Sequence, residues 1–259
     1  MKLLSVNHYW RIAASGLCYI MFGLGAFIPV IYMLCLTKLP INANEKQIKA
    51  RNVIKRLCLF YINFMQFVGL MDYRVNTFDH NLNKPFVAHL VIANHSTLID
   101  ALFVLAYVDN VCCVVKHQLT VNPFTKFIVL LAGYISNGSD DPITEATKKL
   151  AKGENVLIFP EGTRNTFDTE LNFKRGAANI AVISECPVLP LIILPQPRAL
   201  ERGVKWYKIP DKKSIVHFHI KPTLHLSDCV NTKLPRTIQY RRLTEFWRNY
   251  YLKEISQID

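Results

Sequence analysis

Short apolar runs recur along the chain and predict β-strands that are buried on both faces. The runs cover residues 86–93, 111–115, 155–159, 188–194 and 215–220. Near-continuous apolar runs of this length are typical of strands inside a parallel sheet. The pattern therefore indicates a sheet whose two faces are both covered by other elements.

Between these strands, apolar residues recur at helical spacing and helix boundary signals stand at the ends of the runs. The predicted helices cover residues 97–108, 122–132, 142–152, 173–184 and 236–255. Prolines open two of them and glycines end two, as expected for helix boundaries. Strands alternating with helices predict an α/β fold, with a layered, mixed, mostly parallel sheet flanked by helices.

The first charge-free segment is long enough to cross a membrane. Residues 12–36 hold no charged side chain over 25 positions, and about 20 apolar residues span a bilayer. A secretory signal peptide is the alternative, but the run is too long and no small-x-small cleavage site follows it. We predict a membrane segment in residues 1–37, with the rest of the chain facing the cytoplasm because lysines and arginines follow closely.

A basic stretch and a second apolar stretch come next. Residues 38–56 predict a basic linker, and residues 57–71 predict an interfacial or partly buried helix. The two apolar segments could instead form a helical hairpin that dips into one leaflet. The predicted organisation is a membrane segment (1–37), a basic linker with an interfacial helix (38–75) and a domain that carries the chemistry (76–259).

The formal net charge of +12 favours an anionic partner. A membrane surface, an acidic carrier protein and nucleic acid all fit this charge. The membrane segment favours anionic lipid, so no nucleic-acid partner is expected. The seven cysteines are odd in number and form no C-x-x-C pair, which predicts reduced structural thiols.

A histidine and an aspartate five positions apart follow the strand of residues 86–93. On a regular helix their side chains would point about 140° apart, so His95 must lie in the loop and Asp100 in the first helical turn. Asp100 would then hold Nδ1–H of His95 and leave Nε2 to take a proton from a hydroxyl. The alternative is a capping box of Thr97 and Asp100 beside an ordinary loop histidine. Asn94 is predicted to support the site.

A second motif closes the strand of residues 155–159 with a glycine turn and a cation. Gly162 permits an unusual backbone conformation, Thr163 offers a hydroxyl, and Arg164 can clamp a phosphate with two hydrogen bonds. Glu161 is a poor phosphate ligand and is expected to orient Arg164 or nearby backbone. The alternative is a polar turn with a solvated arginine. Because loops at the carboxyl ends of parallel strands lie together, we expect both motifs to share one site.

Both motifs, in this order and spacing, resemble the 1-acyl-glycerol-3-phosphate acyltransferases, also called lysophosphatidate acyltransferases. The resemblance extends from about residue 86 to about residue 194. It implies the glycerolphosphate acyltransferase fold, with an acyltransferase domain in residues 76–259. It also implies that Glu161, Gly162, Thr163 and Arg164 form the phosphate site of the acceptor.

Three other positions bear on this resemblance. Lys116 resembles a basic position near the phosphate, and Phe173-Lys174-Arg175-Gly176 resembles a third block whose cations could contact the phosphate or the membrane. Residues 187–191 resemble a fourth block, a core strand that shapes the acyl pocket. Residues 136–138 depart from the family, because many relatives carry an arginine where Ser-Asn-Gly stands here.

The resemblance implies transfer of a fatty acyl group from acyl-ACP or acyl-CoA to the hydroxyl of a lysophospholipid, which would convert lysophosphatidate into phosphatidate. His95 would be the base and Asp100 its partner, and no metal or organic cofactor is expected. The missing arginine leaves another acceptor open, such as a lyso-ornithine lipid. Two different classes of protein also stay open: a thioesterase or lipase, and a non-catalytic lipid-binding membrane protein.

Overall fold

The computed structural model describes residues 6–25, 27–78, 85–123, 125–163, 171–199 and 203–258. Its strands are β1 (Met71–Thr77), β2 (Leu90–Ala93), β3 (Val111–Val115), β4 (Ile135–Ser136), β5 (Asn155–Ile158), β6 (Val188–Gln196) and β7 (Ser214–Ile220). Its helices are α1 (Val6–Gly25), α2 (Phe27–Thr37), α3 (Ala43–Phe67), α4 (Asp100–Tyr107), α5 (His117–Val121), α6 (Lys126–Leu131), α7 (Pro142–Ala151), α8 (Gly176–Ser184), α9 (Leu226–Cys229) and α10 (Arg236–Ser256).

Within the described residues, the strands form one seven-stranded sheet in the order β1-β7-β6-β2-β5-β3-β4. β6 and β7 are antiparallel, and every other pair is parallel. The mixed, mostly parallel sheet of the sequence prediction is therefore confirmed. The parallel pairing of β2 with β5 and of β5 with β3 brings the carboxyl ends of these three strands to one edge.

Helices cover the sheet on both faces, as the apolar strands require. On one face, α3 and α4 pack over a core that includes Phe103 and Phe218. On the other face, α7, α8 and α10 pack over a second core that includes Trp247 and Tyr251. Tyr251 is fully buried, and its hydroxyl donates 2.8 Å to the carbonyl of Ile92 in β2.

The structure differs from the predicted strands at three places. β2 begins at Leu90 rather than at residue 86, because Ala88 adopts a left-handed conformation (φ 56°) that interrupts an extended run. The short strand β4 was not predicted. β1 was not predicted either, and it crosses the expected boundary between residues 75 and 76. Since β1 pairs along its whole length with β7, the sheet of the domain predicted at residues 76–259 begins before residue 76.

The predicted basic linker at residues 38–56 is instead mostly helical. Asn42 caps α3 by accepting 2.8 Å from the amide of Glu45, and the helix continues without a break to Phe67. Arg51 is buried and donates to the carbonyl of Ala132 at 2.8 Å and to the carboxylate of Glu154 at 2.6 Å. These acceptors lie far from Arg51 in sequence, so the sequence pattern predicts a solvent-exposed arginine where the structure buries one.

The first two helices lie along α3 and run antiparallel to it. The indole of Trp10 donates 2.9 Å to the carbonyl of Val68, and the hydroxyl of Tyr61 donates 2.9 Å to the carbonyl of Cys18. In the described part of the chain, one helical stretch, Asn7–Tyr32, is long and apolar enough to cross a membrane by length and composition.

Candidate active site

Both sequence motifs emerge at the same edge of the sheet. Ile92 of β2 pairs with Ile158 of β5, so the loops that follow these strands lie side by side. A hydrogen bond joins the loops directly, because the backbone amide of His95 donates 2.9 Å to Oε1 of Glu161. The expectation that the two motifs meet is therefore confirmed.

Asp100 is completely buried at the first position of α4 and holds the loop that carries His95. Its Oδ2 lies 3.1 Å from Nδ1 of His95 and accepts 2.7 Å hydrogen bonds from the amides of Ser96 and Thr97. The hydroxyl of Thr97 donates to Oδ1. Asp100 thus orders the loop before the helix and contacts His95 at the same time, whereas the N-cap residue of α4, Ile99, makes no side-chain capping bond.

The ring of His95 is fixed on two sides and open on a third. It stacks on Phe159, with ring centroids 4.3 Å apart and planes 25° apart. The contact with Asp100 assigns the proton to Nδ1, which leaves Nε2 as an acceptor. The side chain of His95 is 21% exposed and lines a cleft, so this acceptor is available to a substrate.

The cleft has a volume of about 510 Å³ and joins a cationic side to an apolar side. Lys116, which follows β3, and Lys174 supply the charge, and both are exposed. Leu105 and Leu157 belong to the apolar wall. The cleft can therefore hold a ligand that carries a phosphate next to a hydrocarbon chain.

Gly162 is required by the turn that ends the second motif. Its φ is +71°, and a Cβ at this position would lie 3.0–3.1 Å from the side chain of Lys174. The amide of Lys174 donates 2.8 Å to the carbonyl of Pro160, which holds this lysine against the turn. Thr163 is half-buried next to Gly162. Arg164 lies outside the described residues.

The N-terminus of α8 opens onto the cleft. Gly176 and Ala177 line the cleft, and Arg175 at the cap makes no side-chain capping bond. Amides at the start of a helix attract anions. Arg175 itself is exposed and is not part of the described cleft lining. The sequence predicted that this helix begins at residue 173, three positions earlier, and so did not place its start at Gly176 on the cleft.

Two of the predicted site residues lie behind the cleft. The amide side chain of Asn94 pairs with the backbone of Ile193 through two 2.8 Å hydrogen bonds, which pin the end of β2 to β6. Glu161 is 6% exposed, and burial raises the pKa of its carboxyl to about 8. Asn94 fixes the chain directly before His95, and Glu161 accepts the hydrogen bond from the amide of His95.

Sequence reasoning gave no role to two other residues of the site. Phe159 supports the ring of His95, and its position at the end of a buried strand, directly before the glycine turn, was the available signal. Asn137 stands in the segment that departs from the family and lines the cleft. Its Oδ1 accepts 2.9 Å from the amide of His117.

Known acyltransferases are similar to this chain in sequence. A family model described as Acyltransferase matches residues 79–194. The 1-acyl-sn-glycerol-3-phosphate acyltransferase of Pseudomonas aeruginosa is 29% identical over 217 residues, which are 80% of this chain and 79% of that protein. The protein of the same name from Helicobacter pylori is 24% identical over 224 residues, 83% of this chain and 86% of that protein.

One solved structure supports the same fold. The 1-acyl-sn-glycerophosphate (LPA) acyltransferase from Thermotoga maritima matches with a TM-score of 0.69 and 18% identity, over 93% of this chain and 95% of that chain. The solved structure shows the fold, and the matched family model together with the names of the relatives indicates an O-acyltransferase. The chain is similar to the 1-acyl-sn-glycerol-3-phosphate acyltransferases, as its motifs predicted.

Proposed function

We propose that this enzyme transfers a fatty acyl group from a thioester, acyl-ACP or acyl-CoA, to the free hydroxyl of 1-acylglycerol-3-phosphate. The observation that carries the proposal is the His95–Asp100 pair, which lies in one cleft with Lys116 and Lys174. A base that faces a cationic wall suits a hydroxyl on a phosphorylated acceptor. The names of the relatives support the same acceptor.

In the proposed reaction, Nε2 of His95 takes the hydroxyl proton while the oxygen attacks the thioester carbonyl. Asp100 stabilises the imidazolium that forms. The tetrahedral intermediate then collapses, the carbon–sulfur bond breaks, and His95 returns the proton to the leaving thiolate. The products are the diacyl phospholipid and the free thiol, and the reaction calls for no metal or organic cofactor.

The phosphate of the acceptor would bind between Lys116, Lys174 and the free amides at the start of α8. Two ammonium groups and a helix N-terminus provide charge and hydrogen-bond donors for one dianion. Arg164 is expected to join them. This arrangement would fix the hydroxyl near Nε2 of His95, so part of the rate enhancement would come from positioning.

The acyl chain would leave the cleft on its apolar side. Leu105 and Tyr134 line the cleft and also line a second cavity of about 240 Å³. That cavity lies between α1, α3 and α4, and its walls are almost entirely apolar, with Phe22, Ile54 and Cys58 among them. A hydrocarbon chain suits such a chamber.

The first two helices would attach the enzyme to a membrane, with the catalytic domain on the cytoplasmic side. Their inner face packs on α3, and their outer face exposes large apolar side chains. These are Tyr9, Trp10, Leu17, Tyr19, Ile20, Leu24, Phe27, Ile31 and Tyr32. Because contacts with the domain occupy the inner face, insertion into one leaflet fits better than a free span that crosses the bilayer.

The test is acyl transfer by the purified full chain, with acyl-ACP or acyl-CoA and a panel of lysolipids, followed by mass spectrometry. Wild type should convert lysophosphatidate into phosphatidate. His95→Ala should lower the rate about 10²–10⁴-fold, the range for loss of a general base. Transfer at an unchanged rate by a folded His95→Ala protein would refute the mechanism.

A second acceptor class has support from one position. Asn137 lines the cleft and belongs to the Ser-Asn-Gly segment that stands where the resemblance leads one to expect an arginine, which would leave the cleft with one cation fewer. An acceptor without a phosphate monoester, such as a lyso-ornithine lipid, would suit this change. Transfer to that acceptor but not to lysophosphatidate would keep the chemistry and replace the substrate.

A further inference from the structure

Residues 203–213, which we call the strap, cross α1 and fasten it to the domain. The hydroxyl of Ser15 donates 2.7 Å to the carbonyl of Trp206, and Arg11 donates 2.5 Å to the carbonyl of Asp211. Both donors are buried within α1, with exposures of 0% and 4%. Gly16 leaves room for the indole of Trp206, since a Cβ there would lie 3.1 Å from the ring.

The outer surface of the strap is both aromatic and cationic. Val204, Trp206 and Tyr207 are 43%, 43% and 41% exposed, and neighbouring exposed apolar side chains of this kind mark interaction sites. The strap also carries four exposed lysines and a single carboxylate, that of Asp211. The lysines are Lys205, Lys208, Lys212 and Lys213.

This surface continues onto α1 and changes along the helix. Around the strap, α1 exposes Tyr9, Trp10 and Tyr19, and further along it exposes Ile20 and Leu24 before the apolar α2 begins. Trp10 and Leu24 are separated by about 21 Å of helix at 1.5 Å per residue. Aromatic and basic groups at one end, with aliphatic groups at the other, follow the order of a bilayer from headgroups to hydrocarbon.

We propose that the strap binds the anionic headgroups of a phospholipid bilayer and sets the depth at which α1 and α2 lie in it. Lys205, Lys208 and Lys212 face the lipid phosphates, and Trp206 and Tyr207 lie at the boundary with the acyl chains. This inference rests on the membrane attachment proposed above. It adds a lipid-binding surface outside both sequence motifs.

Two features favour a lipid over an acidic carrier protein. The aromatic surface of the strap is continuous with the apolar face of α1, which a bilayer would cover along with it. Lys205, Lys208 and Lys212 are spread along a segment rather than gathered around a pocket, as suits a planar array of anions. Lys213 is set apart from the other three because it pairs with Asp72 at 2.7 Å.

The test compares two triple variants of the full chain with equal loss of charge. One is Lys205→Gln, Lys208→Gln and Lys212→Gln in the strap. The control is Lys148→Gln, Lys152→Gln and Lys233→Gln, which are exposed lysines on α7, just after it, and on the loop before α10. Binding is measured by flotation with vesicles of phosphatidylcholine, with and without phosphatidylglycerol.

Wild type and the control should bind the anionic vesicles more tightly than the neutral ones. The strap variant should need about 100-fold more anionic lipid for half-maximal binding, because each of the three lysines contributes a factor of about five to the affinity. Its binding to neutral vesicles and its acyl transfer in detergent should match wild type. Brominated lipid should quench Trp206 in a Trp10→Phe background, since Trp247 is buried.

Three outcomes would overturn the inference. Equal binding of the strap variant and wild type to anionic vesicles would show that the strap takes no part in membrane attachment, which would then depend on α1 and α2 alone. Failure of wild type to bind either kind of vesicle would refute the attachment together with the strap. Normal vesicle binding by the strap variant, combined with a higher KM for acyl-ACP, would assign the surface to the carrier protein instead.

Discussion

His95 is held by three different kinds of contact, and each comes from a different residue. Asp100 contacts Nδ1, Phe159 supports the ring face, and Glu161 accepts from the backbone amide. The first contact could be predicted from spacing and helix geometry. The other two come from the end of β5 and the turn after it, and the distance between β2 and β5 is set by the sheet rather than by the local sequence.

Glu161 gives a prediction about pH. Burial raises the pKa of its carboxyl from 4.5 to about 8, so the folded protein binds a proton there that the unfolded chain releases. Stability should therefore fall as pH rises from about 4.5 to about 8. Glu161→Gln keeps an acceptor for His95 and cannot ionise, so its stability relative to wild type should increase over this range.

Unfolding by denaturant at several pH values would check this expectation. Glu145→Gln is the matched control, because Glu145 is exposed on α7. A stability difference between Glu161→Gln and wild type that stays constant with pH would show that folding does not raise the pKa of the Glu161 carboxyl.

Lys174 and Arg175 are neighbours with different predicted effects. Lys174 lies against Gly162 and lines the cleft, whereas Arg175 is exposed. Lys174→Met should lower kcat/KM for a phosphorylated acceptor about 10–100-fold, the range for loss of a hydrogen bond to a charged group. Arg175→Met should change it little. Steady-state kinetics with lysophosphatidate would decide, and equal effects of the two variants would contradict this phosphate site.

Among the elements, α3 departs most from its sequence prediction. Its N-terminal half is rich in basic residues, which favours a solvated linker, yet Arg51 is buried against Glu154. Lys149 also contacts Glu154, at 3.3 Å. The strands of residues 111–115 and 188–194 were predictable because their own side chains are apolar. α3 was not, because the partners of its buried arginine lie about 60 to 100 positions away.

Removal of the buried arginine should be costly. Arg51→Met leaves Glu154 with Lys149 alone and should lower the free energy of unfolding by up to about 3–5 kcal/mol. The double variant Arg51→Met, Glu154→Leu should recover much of this loss, because it also removes the buried carboxylate, and the partly exposed Lys149 keeps its hydrogen bond to Gln47. Lys55→Met is the control on the same helix. Its partner Asp109 is about half-exposed, so the loss should stay within about 1 kcal/mol.

Denaturant unfolding of the four proteins would test this account of α3. Equal losses for Arg51→Met and for the double variant would show that packing of the arginine side chain matters more than the charge left behind. A loss for Lys55→Met as large as that for Arg51→Met would contradict the distinction between the buried and the surface pair.

For the whole molecule, the predicted division into three consecutive parts does not describe how the chain packs. Ala14 and Cys18 of α1 belong to the same core cluster as Ile62 and Met65 of α3. The sequence predicted a separate membrane anchor here, because hydropathy measures how apolar a segment is and does not show whether a helix face packs on protein or on lipid. The layered fold was predictable because the order of strands and helices is itself a sequence property.

A truncated chain of residues 38–259 should therefore be less stable than the full chain. Loss of α1 and α2 would uncover Cys58, Ile62 and Met65, which are now buried. The full chain with Leu24→Ser and Ile31→Ser is the comparison, because these side chains point outward and are 59% and 63% exposed. Thermal unfolding in detergent should show a lower Tm for the truncation and little change for the double substitution. A truncation with the Tm of the full chain would contradict this.

The place of β1 at the edge of the sheet has a consequence for the synthesis of the protein. Met71 pairs with Ser214, which the ribosome adds 143 positions later. At about 5–20 residues per second, β1 has no partner for roughly 7–30 s. During that time its backbone amides and carbonyls are open to the strands of other nascent chains. Translation of mRNAs truncated between codons 78 and 213 should therefore yield fragments that aggregate.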